Sequence, residues 1–166
     1  MGRNSAKSVA FGGVMAAVAV VIMCMGGIIP IATYVCPMLC AIQLALVLRF
    51  VGRRIAWAWY AVVAVLSLLL GPDKEAAAVF VFLGYYPIIK PWADRRKVPF
   101  LWKMVIFNVS VGSMYALLIY LFRLEQVILE FREFGLVLTL ITLLLGNVTL
   151  FMLDILLNRI AGRRIR

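Results

Sequence analysis

Gly71-Pro-Asp-Lys-Glu75 and Gly84-Tyr-Tyr-Pro-Ile-Ile-Lys90 are the stretches whose residue types could do chemistry. The first sets two carboxylates around an ammonium. It reads in two ways. Pro suits the first turn of a helix and carboxylates suit its positive end, so the group is a helix start. The same group is also an outward-facing polar cluster able to grip a ligand. At ~100° per residue, Glu75, Phe82 and Tyr86 fall within about 40° of one another, with Lys90 a little further round. A face carrying a carboxylate, two aromatics and an ammonium is ill suited to lipid and is expected to look into a bundle or a cavity. Ordinary packing is the competing reading. Pro87 has no N–H for the carbonyl of Leu83 and is expected to kink the helix there.

Other polar residues follow the same logic. Asn108, Gly112 and Tyr115 share one helical face, Thr139, Thr142, Gly146 and Thr149 a second, and Asn147, Asp154 and Asn158 a third. Small and hydroxylated residues are the usual contact material between membrane helices. An acid at mid-bilayer costs ~2.5–3.5 kcal/mol, so Asp154 needs a partner. An ion pair with cations at the inner surface is the reading adopted. Ala6/Ala10, Gly12/Ala16 and Gly13/Ala17 repeat small-xxx-small spacing, which admits another helix backbone, within the bundle or on another subunit.

Catalytic patterns are lacking: there is no histidine, GxSxG, P-loop or paired acid motif within a span. An enzyme would have to run on Asp73, Lys74, Glu75 or Asp154, and the chain is read as a non-enzyme. Without histidine a metal site would need an all-thiolate or carboxylate set. Cys24, Cys36 and Cys40 read as small apolar fillers, with Cys36 and Cys40 one helical turn apart. No metal and no cofactor are expected.

The elements that must hold these residues are membrane spans. The 166 residues are 66% hydrophobic and 14% charged, against roughly half and a quarter in soluble domains. A bilayer core of ~30 Å needs about 20 apolar residues in helix, and lipid leaves an isolated span no other fold. Six segments qualify, at about 8–29, 35–50, 55–70, 75–91, 101–122 and 135–158, forming a single all-α integral membrane domain. The first is too long for the apolar core of a signal peptide, and Ile28 to Ile31 lacks a small-x-small cleavage pattern.

Net charge is +10, with 17 Lys and Arg against 7 acids. With the N-terminus inside, fourteen of the 17 cations fall on inner segments. Those are Arg3 and Lys7; Arg49, Arg53 and Arg54; Lys90, Arg95, Arg96, Lys97 and Lys103; and Arg159, Arg163, Arg164 and Arg166. Only Lys74, Arg123 and Arg132 fall outside, along with Asp73, Glu75, Glu125, Glu130 and Glu133. Every loop alternates as the positive-inside rule requires, so both termini are expected in the cytoplasm. Topology accounts for the basic charge, and nucleic acid is not an expected partner. Trp57, Trp59, Tyr60, Trp92 and Trp102 are expected at the inner interface as bilayer anchors.

A six-span bundle with ends inside, a basic inner surface and a small-residue first helix resembles the substrate-binding S component of energy-coupling factor (ECF) transporters. The likeness is one of architecture across nearly the whole chain. The family's Ala-x-x-x-Ala pattern in the first helix occurs literally as Ala6-Lys-Ser-Val-Ala10, while the later spacings here use glycine. The resemblance implies uptake of a small, vitamin-like polar solute across a prokaryotic cell membrane. It implies a transmembrane coupling subunit, met by Ala6, Ala10, Gly12, Gly13, Ala16 and Ala17, and separate ATPases. It implies an outer solute site including Tyr34, Asp73, Glu75, Tyr120 and Arg123. Lys74, Phe82, Tyr86 and Tyr115 join that candidate site from the residue reading. A rival is a structural or assembly subunit that binds a partner helix or lipid, and a third reading is a self-sufficient small transporter.

Overall fold

Apolar runs bounded by Pro and Gly become helices, and among the described residues little else forms. The computed structural model describes residues 2–26, 32–117 and 125–162, with the side chains of 2–5, 125–134, 136–139, 142 and 160–162 outside the description. The helices are α1 (Gly2–Met25), α2 (Ala32–Phe50), α3 (Arg53–Leu70), α4 (Lys74–Leu83), α5 (Tyr86–Ala93), α6 (Pro99–Leu117) and α7 (Glu125–Gly162). Among the described residues no strand occurs. Among the described residues, five helical stretches are long and apolar enough to cross a membrane: Ala6–Met25, Ala32–Phe50, Arg53–Leu70, Lys74–Ala93 and Pro99–Leu117.

The outer surfaces of these helices are apolar. Val14, Leu69, Leu70 and Val109 are all more than half exposed. In water so much exposed hydrocarbon would drive association. In lipid it is the expected exterior, so the chain fits a membrane protein.

Helix limits differ from expectation in instructive ways. The second starts at Ala32 rather than 35 and carries Pro37 inside it. The expected fourth span is interrupted: α4 ends at Leu83 and α5 starts at Tyr86. The missing N–H of Pro87 explains part of this. Tight packing explains the rest, since the Gly84 N–H donates to the Phe80 carbonyl at 2.7 Å while the Phe80 ring lies against Gly84. The hydroxyl of Tyr60 on α3 donates to the Val81 carbonyl beside the break. The span expected at 135–158 lies inside α7, which is kinked internally at Gly135, φ 50°, where that span begins. Glycine has no Cβ to oppose that left-handed conformation. The expected continuation of the fifth span through 118–122 lies outside the described residues.

The chain divides into two units, residues 1–92 and 93–166. In the first, α1 packs on α2 and α3, and α4 packs on both α2 and α3. Its core holds Ala19, Met23, Cys40, Leu44, Val47, Trp59, Val63 and Phe80. Cys40 donates to the Ala19 carbonyl at 3.5 Å and Cys36 is buried beside it, so both thiols are interior packing groups. Of the expected interfacial aromatics, Trp59 is a core residue and Tyr60 is half-buried against the core. Trp59 is buried with its ring edge-on to Phe80, and Tyr60 touches Phe80, Tyr85 and Trp57. Trp57, Trp92 and Trp102 stay exposed. Helical phase decides this, because Trp57 and Trp59 are ~200° apart on α3.

In the second unit α6 packs on α7. A Cβ placed on Gly146 would lie 2.7 Å from the Phe107 ring, so this glycine is a seat for an aromatic. The Asn147 amide donates to the Asn108 side chain at 3.1 Å and to the Leu143 carbonyl at 2.7 Å. The polar faces expected on these two helices thus meet, as interhelical glue does. The side chains of Thr139 and Thr142 lie outside the described residues.

Candidate functional site

The first unit has two chemically distinct ends. At one, Lys7 and Ser8 of α1 share a groove with Phe50 and Val51 at the α2–α3 turn, and the Phe11 and Phe50 rings meet edge-on at 6.1 Å. Arg49, Arg53 and Arg54 flank that turn, making this end cationic. At the other end the start of α2 meets the start of α4. There Thr33 donates to Asp73 Oδ2 at 2.7 Å and Tyr34 donates to Glu75 Oε1 at 2.9 Å. Gly26, just past α1, sits close to Ala76 at this same end.

Each residue of the acidic end is placed by local chemistry. Asp73 is the N-cap of α4, its Oδ1 accepting from the Ala76 N–H at 3.0 Å. This satisfies one of the donors that a helix start leaves unpaired. Lys74 turns back and donates to the carbonyls of Leu68 and Gly71, at 2.8 and 2.9 Å, closing the end of α3. A cation there suits the negative end of a helix. So the helix-start reading holds for Asp73, and Lys74 serves α3.

The sequence-predicted site residues therefore separate. Tyr34, Asp73 and Glu75 come together. Phe82 stays on α4, while Tyr86 and Lys90 lie on α5 beyond the break, both buried. The single helical face expected to carry Glu75, Phe82, Tyr86 and Lys90 is thus divided between two helices. Tyr115 is on α6 in the second unit. Tyr120 and Arg123 lie outside the described residues. Thr33 was not anticipated; its only sequence signal is a hydroxyl beside Tyr34 at the start of a span. Among the described residues no three Cys, Asp or Glu side chains converge in a way that could hold a metal ion.

The small residues of α1 also separate. Gly12 is buried near Ile55 and Ala16 is half-buried, so these serve the bundle itself. Ala6, Ala10, Gly13 and Ala17 are exposed.

In the second unit Asp154 finds its cation on another helix. Lys103 donates to both its oxygens at 3.1 and 3.0 Å, and to Asp94 at 2.5 Å. The pairing partner is thus 51 residues away, not the neighbouring Arg159.

The N-cap is testable. Asp73→Ala removes an N-cap acceptor and the partner of Thr33, and is expected to cost about 1 kcal/mol of stability. Asp73→Asn keeps an acceptor and is expected to retain most of it. Thermal unfolding in detergent compares the two; equal losses would show that charge, not capping, matters.

The chain matches no protein-family model, no curated protein and no solved structure.

Proposed function

We propose that this chain is a six-span integral membrane protein of a prokaryotic cell membrane with both termini in the cytoplasm. In this reading its acidic end captures a small polar solute for uptake, as the S component of an ECF transporter does with separate coupling and ATPase subunits. The observation that carries the reading is the opposite placement of charge in the first unit. Lys7 and the α2–α3 turn with its arginines lie at one end, while Asp73 and Glu75 lie at the other. That is the arrangement positive-inside insertion demands, with the carboxylates outward.

The chemistry of the acidic end narrows the solute. The ammonium of Lys74 is engaged by α3 carbonyls, so among the described residues the charge offered at this end is that of Asp73 and Glu75, each accepting from a hydroxyl. Ionised carboxylates only accept, with about four acceptor sites each, so the groups they recognise are donors. A solute bearing an amine or a cationic heterocycle suits that set.

Two measurements test this. Single cysteines at positions 74 and 96 are expected to react with impermeant thiol reagents from opposite sides of intact cells. Labelling from a common side would end the topological argument. Uptake of radiolabelled amine-bearing solutes, with coupling subunits supplied, is expected to fall about tenfold or more in Glu75→Ala, the loss expected for a hydrogen bond to a charged group. Uptake unchanged in both Glu75→Ala and Tyr34→Phe would remove the site. Uptake in liposomes holding this chain alone would instead identify a self-sufficient transporter.

One observation favours a second reading, an assembly subunit. The exposed line Ala6, Ala10, Gly13 and Ala17 has the spacing that lets a partner helix approach closely. A stoichiometric membrane partner copurifying without ATPases or solute would favour it.

A further inference from the structure

The groove at the cationic end of the first unit holds about 280 Å³ and is lined by Lys7, Ser8, Phe11, Phe50 and Val51. It is shallow and open, with Phe11 and Phe50 largely exposed, so it suits a ligand that lies along the surface. Its chemistry is split. An ammonium and a hydroxyl come from α1, and the floor is two phenyl rings in edge contact. The Arg49 guanidinium lies 5.8 Å from the centre of the Phe50 ring and adds positive potential at the rim.

Beyond the groove the exposed surface of α1 continues in line with Phe11. Val14, Val18 and Val21 follow on α1 at helical spacing and are 65%, 44% and 60% exposed. Lys7, Phe11, Val14, Val18 and Val21 thus form one stripe, cationic at the top and hydrocarbon below. From Phe11 to Val21 the helix rises about 15 Å, which is the depth of one leaflet of a ~30 Å hydrocarbon core.

We propose that this stripe binds one anionic phospholipid of the cytoplasmic leaflet. The headgroup phosphate sits against Lys7 and Ser8, the glycerol region over the Phe11 and Phe50 rings, and an acyl chain along Val14, Val18 and Val21. Charge complementarity selects the headgroup, and the length of the exposed valine stripe selects a lipid over a free anion. The proposal goes beyond solute capture and depends only on the topological part of that reading, with Lys7 at the cytoplasmic surface.

The test uses the full chain in vesicles of equal parts phosphatidylcholine and phosphatidylglycerol, then extraction and native mass spectrometry. The wild-type chain is expected to retain one phosphatidylglycerol in preference to phosphatidylcholine. Lys7→Gln is expected to lower that preference about fivefold, the effect of one cation at a membrane surface. Lys97→Gln, remote in sequence and equally exposed, is expected to keep it. Equal retention of the two lipids, or a Lys7→Gln chain indistinguishable from wild type, overturns the proposal. So does loss of the bound lipid to excess inorganic phosphate, which would identify a free-anion site, or its replacement by a stoichiometric protein partner. Resistance to carbonate extraction separates the causes of failure. A chain that stays in the membrane but keeps no phosphatidylglycerol sinks the lipid site alone, and a chain released by carbonate sinks the topology with it.

Discussion

Gly84→Ala is expected to destabilise the protein by about 1–3 kcal/mol, the usual range for forcing extra atoms into a packed core. The sign is the informative part. Gly84 has φ −62° and ψ −25°, an ordinary helical conformation that alanine adopts freely. On backbone grounds alone the substitution should stabilise by ~0.4–1 kcal/mol, because alanine restricts the unfolded chain. Packing opposes this. The new Cβ would lie 2.5 Å from the Phe80 carbonyl oxygen and 2.7 Å from two ring carbons of Phe80. That ring is fully buried and touches Trp59 and Tyr60, so it has nowhere to go. Thermal unfolding of the detergent-solubilised chain should show a lower midpoint. Adding Phe80→Leu should recover part of the loss, since the smaller side chain makes room. A raised midpoint in Gly84→Ala would mean that the glycine is there only to loosen the backbone before Pro87.

Lys103→Met is expected to cost more, about 3 kcal/mol, because it takes from the largely buried Asp154 the cation that both its oxygens accept from. The side chains of Lys103 and Asp154 are 13% and 14% exposed, whereas that of Asp94 is 40% exposed and can turn to water. The group that loses most is therefore Asp154, which gives up the cation donating to both its oxygens. A second change, Asp154→Leu, removes it and should restore most of the stability in the double variant. This follows from the general finding that apolar replacement of a whole buried pair is tolerated while halving it is not. Unfolding midpoints and folded yield of the two single variants and the double complete the cycle. A Lys103→Met chain within about 0.5 kcal/mol of the parent would class the pair with exposed salt bridges, which contribute ~0–1 kcal/mol.

These two contacts differ in how visible they were beforehand. Asp154 announced itself, because an acid in an apolar run must be neutralised or paired. Its partner did not, since Lys103 lies 51 residues away and pairing across helices depends on their relative rotation. The close fit of Gly84 to Phe80 was less visible still. The i, i+4 spacing was there to read, yet spacing does not say which way a ring turns. Pro87 foretold a disturbance near Leu83, and the helix does stop at that residue. The interruption is deeper than a kink because a buried aromatic occupies the inside of the bend.

The candidate site divides along the same line. Asp73 at a helix start was legible, since a carboxylate directly after a Gly-Pro stop has few better uses than capping. The meeting of Asp73 with Thr33, and of Glu75 with Tyr34, bridges 40 and 41 residues and needed the packing of α2 on α4. Lys74 showed the limit of reading charge from order alone. It sits between two acids in sequence and turns away from them in space, toward carbonyls that α3 leaves open.

By themselves the residues set the class of the protein: runs of hydrocarbon long enough to match a bilayer, stopped by Gly and Pro, with cations on alternate connectors. Those properties are local or additive along the chain, so no knowledge of contacts is needed to extract them. Tertiary structure decided which face of each helix turns inward. It sent Trp59 to the core, packed Tyr60 against it and left Trp57 outside, buried Gly12 and exposed Gly13, and gave Asp154 to Lys103. In hydrocarbon both faces of a span are apolar, so hydrophobicity cannot choose between them. Steric fit and the pairing of a few polar groups make the choice, and both depend on neighbours distant in the chain.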